Sequence, residues 1–214
     1  MTVDLMRRAP LADHAAALAA LAPALVAQER PFRTQLTVRV REGHDAVGEV
    51  LGVPLPAEPC TFTSGAGPFG TVDVAWLGPD EYLVLAEPGA VTEADLRPAI
   101  GVGAVTDTSA QRTTVRLAGP AVRDVLAHGC AIDLDPAVSP PGTCVQTLLA
   151  RTGIVLLVRE AGEFTVLVRQ SFAPYFAAWL ADAATEYTHE PVYTEEAVYT
   201  EEAVYTEEAL WPSH

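Results

Sequence analysis

Apolar and polar residues alternate with period two over two stretches of this chain, 32–40 and 112–117. Leu36, Val38 and Val40 against Gln35, Thr37 and Arg39 predict a strand over 32–40, with a short helix over 43–51 behind it. Gly52-Val-Pro-Leu-Pro56 then excludes regular helix, because proline has no amide to donate. Residues 71–77 read as a strand, and 76–85 as strand, tight turn, strand, with Gly78-Pro79-Asp80 at the bend. Thr92 suits the cap of a helix over 93–100, whose first turn carries acids where the helix dipole favours them. The centre, 107–120, reads as a polar turn, a strand over 112–117, a Gly-Pro turn and a helix over 121–127, with Gly129 as its left-handed cap. Three more strands are expected at 144–150, 154–159 and 164–169. A helix over 172–184 follows, capped by Ser171, with Phe172, Tyr175, Phe176, Trp179 and Leu180 in one stripe.

The two ends differ from this body. Leu11, Leu18, Leu21 and Leu25 recur at helical spacing, so 1–31 is expected to be a helical arm, broken or kinked at Pro23. Arg7-Arg8 and the Ala-rich run after it superficially look like an export signal, but Asp4, Asp13 and His14 interrupt the pattern. The apolar run 15–27 is also too short to span a bilayer. Near the other end, Val-Tyr-Thr-Glu-Glu-Ala occurs three times from Val192. A six-residue period keeps no constant helical face, and paired glutamates favour solvent, so 185–214 is expected to be a disordered acidic tail. The expected division is arm 1–31, an α+β domain 32–184 divisible at 103/104, and the tail.

Charge sharpens this picture. The net charge is −15, and nine of those charges come from Asp182 and the eight glutamates beyond Gln170. The rest of the chain sets 13 Arg against 19 acids, without the basic excess that nucleic-acid phosphates demand. There is no Lys, which removes Schiff-base chemistry, a phosphate-binding P-loop lysine and a Ser–Lys pair. Arginine remains for planar, bidentate contacts to carboxylates. Cys60, Cys130 and Cys144 are scattered, and the five histidines stand singly, so no zinc spacing is present. The thiols are expected to be reduced and mostly buried, in an intracellular, cytoplasmic protein.

Two motifs invite chemistry. Gly65-Ala-Gly67-Pro-Phe-Gly70 has dinucleotide-loop spacing, but a strand follows it where a helix would have to, so a hairpin or loop is the better reading. Asp107, Ser109 and His128 are the residue types of a nucleophilic triad. No nucleophile elbow surrounds Ser109, and turns use Asp, Thr and Ser to bond their own backbone, which favours a structural reading. The aromatic stripe is either core or an interface anchor, since Tyr and Trp are enriched at both.

Six segments in order carry a resemblance: Leu51-Gly-Val-Pro-Leu-Pro56, Trp76-Leu-Gly-Pro-Asp-Glu81, Ser109-Ala-Gln-Arg-Thr113, Gly129-Cys-Ala-Ile-Asp-Leu134, Pro140-Pro-Gly-Thr-Cys-Val-Gln-Thr147, and Ser171-Phe-Ala-Pro-Tyr175 through Trp179-Leu180. Over 32–184 the chain resembles the gamma subunit family of heterotetrameric sarcosine oxidase. It departs from that pattern at Thr108, where an apolar residue is expected, and in the acidic tail.

The resemblance implies an α+β fold, with antiparallel or mixed sheets and helices packed on one side, similar to the folate-binding fold of the glycine cleavage T-protein. It implies partnership with alpha, beta and delta subunits, and neither nucleic acid nor membrane as partner. The assembled enzyme would oxidise sarcosine to glycine, with hydrogen peroxide and either 5,10-methylenetetrahydrofolate or formaldehyde as co-products. FAD, FMN, NAD, tetrahydrofolate and zinc would be held by other subunits; catalytic, cofactor and metal residues are expected to be none here. Arg112, Phe172, Tyr175 and Trp179 are the interface candidates. Two other readings stay open: a free-standing folate-binding or aminomethyl-transfer protein using Asp107, and a hydrolase using Ser109, His128 and Asp107.

Overall fold

Two five-residue apolar runs, Tyr82-Leu-Val-Leu-Ala86 and Ile154-Val-Leu-Leu-Val158, are buried on both faces. The computed structural model, which describes residues 7–160 and 162–188, shows what covers them. In chain order its elements are α1 (Ala15–Ala19), β1 (Val26–Arg30), β2 (Thr34–Glu42), α2 (His44–Leu51), β3 (Phe62–Gly67), β4 (Gly70–Gly78), β5 (Glu81–Ala86), α3 (Glu93–Leu96) and β6 (Val102–Asp107). Then come β7 (Arg112–Ala118), α4 (Val122–Ala127), β8 (Cys144–Leu149), β9 (Thr152–Glu160), β10 (Glu163–Arg169), α5 (Ala173–Ala183) and α6 (Thr185–Thr188).

The strands form two five-stranded antiparallel sheets, a first in the order β3-β4-β5-β2-β6 and a second in the order β8-β9-β10-β7-β1. The sheets face each other through Ala75, Leu83 and Leu85 on one side and Val155, Leu157 and Leu167 on the other. On the outer face of the first sheet, Val38, Val74 and Val84 pack under Val47 and Leu51 of α2 and Leu96 of α3. On the outer face of the second, Val115, Leu156 and Val166 meet Leu18 of α1, Val125 of α4, and Phe176 and Leu180 of α5. The result is helix, sheet, sheet, helix, with one-sided helices on each sheet as the α+β expectation required. Central strands buried on both faces lose the alternation of half-buried ones, which explains the unbroken apolar runs. Each fully buried Leu contributes about 1.5–3 kcal/mol by leaving water.

The two halves repeat one plan. A shift of 82 residues carries Phe62–Gly67 onto Cys144–Leu149 and Gly70–Gly78 onto Thr152–Glu160. Thr61 and Thr143, equivalent under that shift, pair with each other across the junction. The Phe62 amide donates to the Gly142 carbonyl (2.9 Å) and the Cys144 amide to the Cys60 carbonyl (2.8 Å), a pattern symmetric under exchange of the halves. β2 and β7 hold equivalent places beside β5 and β10, followed by α2 and α4 respectively. Only the edge strand differs in origin. β6 comes after α3 in the first half, whereas the second half borrows β1 from the start of the chain.

Several expectations change accordingly. The helix expected through Leu25 stops at Ala19, and 26–30 is instead strand β1, paired with β7 from Val26↔Ala118 to Arg30↔Thr114. Pro23 ends the helical pattern, yet Leu11, Leu18, Leu21 and Leu25 all reach one core. Asp107 closes strand β6 rather than opening a turn. Gly103 permits that strand: a Cβ there would sit 1.9 Å from the Arg39 carbonyl oxygen. Gly129 does not have a left-handed φ; its missing side chain makes room for Trp179, whose Cζ2 would lie 2.6 Å from a Cβ. Of the thiols only Cys144 is buried, Cys130 being half-buried and Cys60 exposed.

Candidate functional site

Between Asp107 and Arg112 the chain crosses from one sheet to the other, and the polar residues there are fastened to β2. Thr108 donates its amide to the Gln35 carbonyl (2.8 Å), and the Ser109 hydroxyl accepts from the Gln35 amide (2.9 Å). Gln35 in turn donates its side-chain amide to the Arg112 carbonyl (2.9 Å). The Thr108 hydroxyl, buried where an apolar group was expected, lies 3.1 Å from that of Thr37. The crossing is therefore a hydrogen-bonded strap between the sheets.

Arg112 begins β7 directly opposite Arg169, the last residue of β10. Its Nη1 is buried without a hydrogen-bond partner. Burial, and then the Arg169 charge beside it, push the Arg112 pKa below its usual value, against a smaller pull from Glu81. Both arginines line a cleft of about 500 Å³ with Gln146, Leu148, Gly153 and Val155, where Leu148 is 56% exposed.

The aromatic stripe divides. Phe176 and Leu180 are core, while Phe172 and Tyr175 remain 42% and 37% exposed. Trp179 is half-buried against Gly129, and the Tyr175 hydroxyl accepts from the Arg151 amide (3.3 Å). No hydrogen bond or ring contact among the described residues joins Arg112 to Phe172, Tyr175 or Trp179. Arg169 is nonetheless only three residues before Phe172, so the end of β10 connects the arginine cleft to the exposed rings. Arg169 was not singled out from the sequence, because an arginine at a strand end reads as ordinary surface.

The triad candidates are not brought together. The Asp107 carboxylate accepts from the Ser109 amide (2.8 Å), and its bonds to Ser109 hold it below the usual carboxylate range. The His128 ring meets the Tyr187 hydroxyl (2.9 Å) and the Glu186 carboxylate (2.8 Å) at the end of α4. Asp107 and Ser109 do line a cavity of about 490 Å³ with Arg7, Phe32, Thr92 and Glu93. The glycine motif forms the β3–β4 hairpin, with Gly67 opposite Gly70. Among the described residues no three His, Cys, Asp or Glu side chains cluster to hold a metal ion, and no helix is long and apolar enough to cross a membrane.

The chain is similar to known proteins over most of its length. Residues 43–186 match the model of the "Sarcosine oxidase, gamma subunit family", a span that takes in Arg112, Phe172, Tyr175 and Trp179. The chain belongs to the sarcosine oxidase gamma subunit family. Within that family, a sarcosine oxidase subunit gamma from Corynebacterium sp. (strain P-1) is 35% identical over 87% of this chain and 94% of the relative. One from Arthrobacter sp is 36% identical over the same shares, 87% and 94%. A chain of the heterotetrameric sarcosine oxidase from Corynebacterium sp. U-96, solved in complex with pyrrole 2-carboxylate, matches with a TM-score of 0.79 at 35% identity, covering 87% of this chain and 98% of that one. The glycine cleavage system aminomethyltransferase T from Bartonella henselae matches with a TM-score of 0.54 at 13% identity, covering 80% of this chain and 48% of its own length. That last likeness concerns the fold alone, and it bears out the architecture expected from the family.

Proposed function

We propose that this chain is the non-catalytic gamma subunit of a heterotetrameric sarcosine oxidase. One observation carries the reading: a chain of a solved heterotetrameric sarcosine oxidase is matched over 98% of its length at 35% identity. Alpha, beta and delta subunits are the partners in this reading, and FAD, FMN, NAD, tetrahydrofolate and zinc reside with them. The complex, in the cytoplasm, converts sarcosine to glycine with hydrogen peroxide and a one-carbon product. The engagement of Ser109 and Asp107 in backbone hydrogen bonds supports a chain that supplies no catalytic group. Arg112, Phe172, Tyr175 and Trp179 contribute to the subunit interface, a role supported by two exposed rings and an unsatisfied guanidinium at one end of the second sheet.

Affinity purification of the tagged chain from its native cells, with a visible spectrum and mass spectrometry, tests this. Yellow material containing larger flavoprotein chains is the expected result. Colourless protein running alone would overturn the proposal.

A further inference from the structure

The internal repeat places a reference next to the Arg112 cleft. Thr34 pairs with Ala86 in the first sheet, and Thr113 with Val168 in the second, so the residues flanking them are also equivalent. Arg33 corresponds to Arg112, and Glu87 corresponds to Arg169. In the first half Arg33 is held by an ion pair with Glu87. In the second half the carboxylate position is taken by another arginine. Like charges directly opposite across strands repel, and an unpaired buried guanidinium nitrogen costs its full desolvation. Among the described residues, no carboxylate lies within ion-pairing distance of Arg112 or Arg169; Glu81, whose charge Arg112 feels, is itself paired with Arg39.

We propose that the Arg112–Arg169 cleft receives an aspartate or glutamate side chain of a neighbouring subunit, in the place that Glu87 fills on Arg33. The chemistry of the cleft favours a protein carboxylate. Val155 stands where the first half has Asp73, and Leu148 is exposed alongside, so the cationic pair is set in an apolar wall that a protein surface can cover. Planar guanidinium donors match a carboxylate with two parallel hydrogen bonds. In a chain of net charge −15, two facing arginines without an internal acid form a local exception that complements an acidic patch on a partner.

The inference rests on the subunit reading, and the experiment separates the two. The full chain is co-expressed with the flavoprotein subunits, and retention in the purified complex is measured for the parent, Arg112→Gln and Arg169→Glu. Arg169→Glu recreates the internal pair of the first half, so the isolated variant should melt higher than the parent while its affinity for the complex falls roughly thirty-fold or more. Arg112→Gln should weaken assembly similarly without raising the melting temperature. A parent that never co-purifies defeats the subunit reading itself. A parent that assembles, with both variants assembling equally well, overturns the carboxylate docking. In that case a melting temperature lost on truncation after Thr188 would identify the acidic tail as occupant, and one gained in acetate over chloride would identify a free anion. Either of those results also overturns the proposal.

Discussion

The first and second sheets share a strand order and differ in what they place on the face between them. At the first-half end, Asp73 of β4 binds Arg159 of β9 through two hydrogen bonds (2.7 and 2.6 Å), with side chains only 4% and 21% exposed. The Arg159 guanidinium also lies over the Phe62 ring and donates to the Thr165 hydroxyl. Their counterparts under the 82-residue shift are Val155 and Leu77, an apolar pair. A symmetric backbone thus carries an asymmetric junction, ionic at one end and apolar at the other. Repetition fixes where side chains point, and substitution on the shared face decides which end stays closed and which is left to bind.

The largest effect is expected at the borrowed edge. A chain starting at Phe32 loses Leu11, Leu18, Leu21 and Leu25, four buried side chains of the second core. At about 1.5–3 kcal/mol each, this loss is of the order of a whole domain's stability, so the second half should fail to fold cooperatively in urea. Next comes the ionic end. Asp73→Ala leaves the half-buried Arg159 guanidinium without its carboxylate and should cost up to about 3 kcal/mol in denaturant unfolding. Installing the counterparts from the other half, Asp73→Val with Arg159→Leu, should restore stability to within about 1 kcal/mol, because a well-packed apolar pair can replace a buried ion pair. If the double variant is as damaged as the single one, the two ends are not equivalent.

The smallest effect concerns Glu163, whose pKa is lowered first by its hydrogen bond from Arg116 and then by the charges of Arg116, Arg159 and Arg30. A carboxyl with a depressed folded pKa adds stability above its unfolded pKa and loses it as pH falls through the folded one. Glu163→Gln should therefore lower the unfolding free energy slightly at pH 7, by a partly exposed pair's worth of about 0–1 kcal/mol, with the difference vanishing in acid below the folded pKa. A gap that persists at low pH would assign the effect to packing instead.

The hydrophobic pattern revealed β2 and β7 through alternation, α5 through its helical stripe, and β4, β5, β8, β9 and β10 through strand-length apolar segments, because each presents apolar residues to a core. It did not reveal β1 or β6. Both are edge strands, partly exposed and lacking alternation: β1 is Val-Ala-Gln-Glu-Arg, and β6 begins Val-Gly-Ala-Val. Their places are set by tertiary pairing, which local propensity does not encode. The internal repeat was hidden for a related reason. Outward-facing positions keep their apolar character, but inter-sheet positions meet the opposite half, so Asp73 stands against Val155 and Ser64 against Gln146 without visible similarity. Arg112 was recognisable as a surface candidate beside the aromatic stripe. That Arg169 faces it could be known only from the register of β7 with β10.

The borrowed strand also has a consequence for biosynthesis. β2 through β6 complete the first sheet in chain order, so that half can form as soon as Asp107 has emerged. β1 is translated before all of them, yet its partner β7 lies roughly ninety residues downstream, a long-range contact that folds slowly. β1 must therefore wait, with Leu11, Leu18, Leu21 and Leu25 just ahead of it unburied, for a sheet completed only after the first.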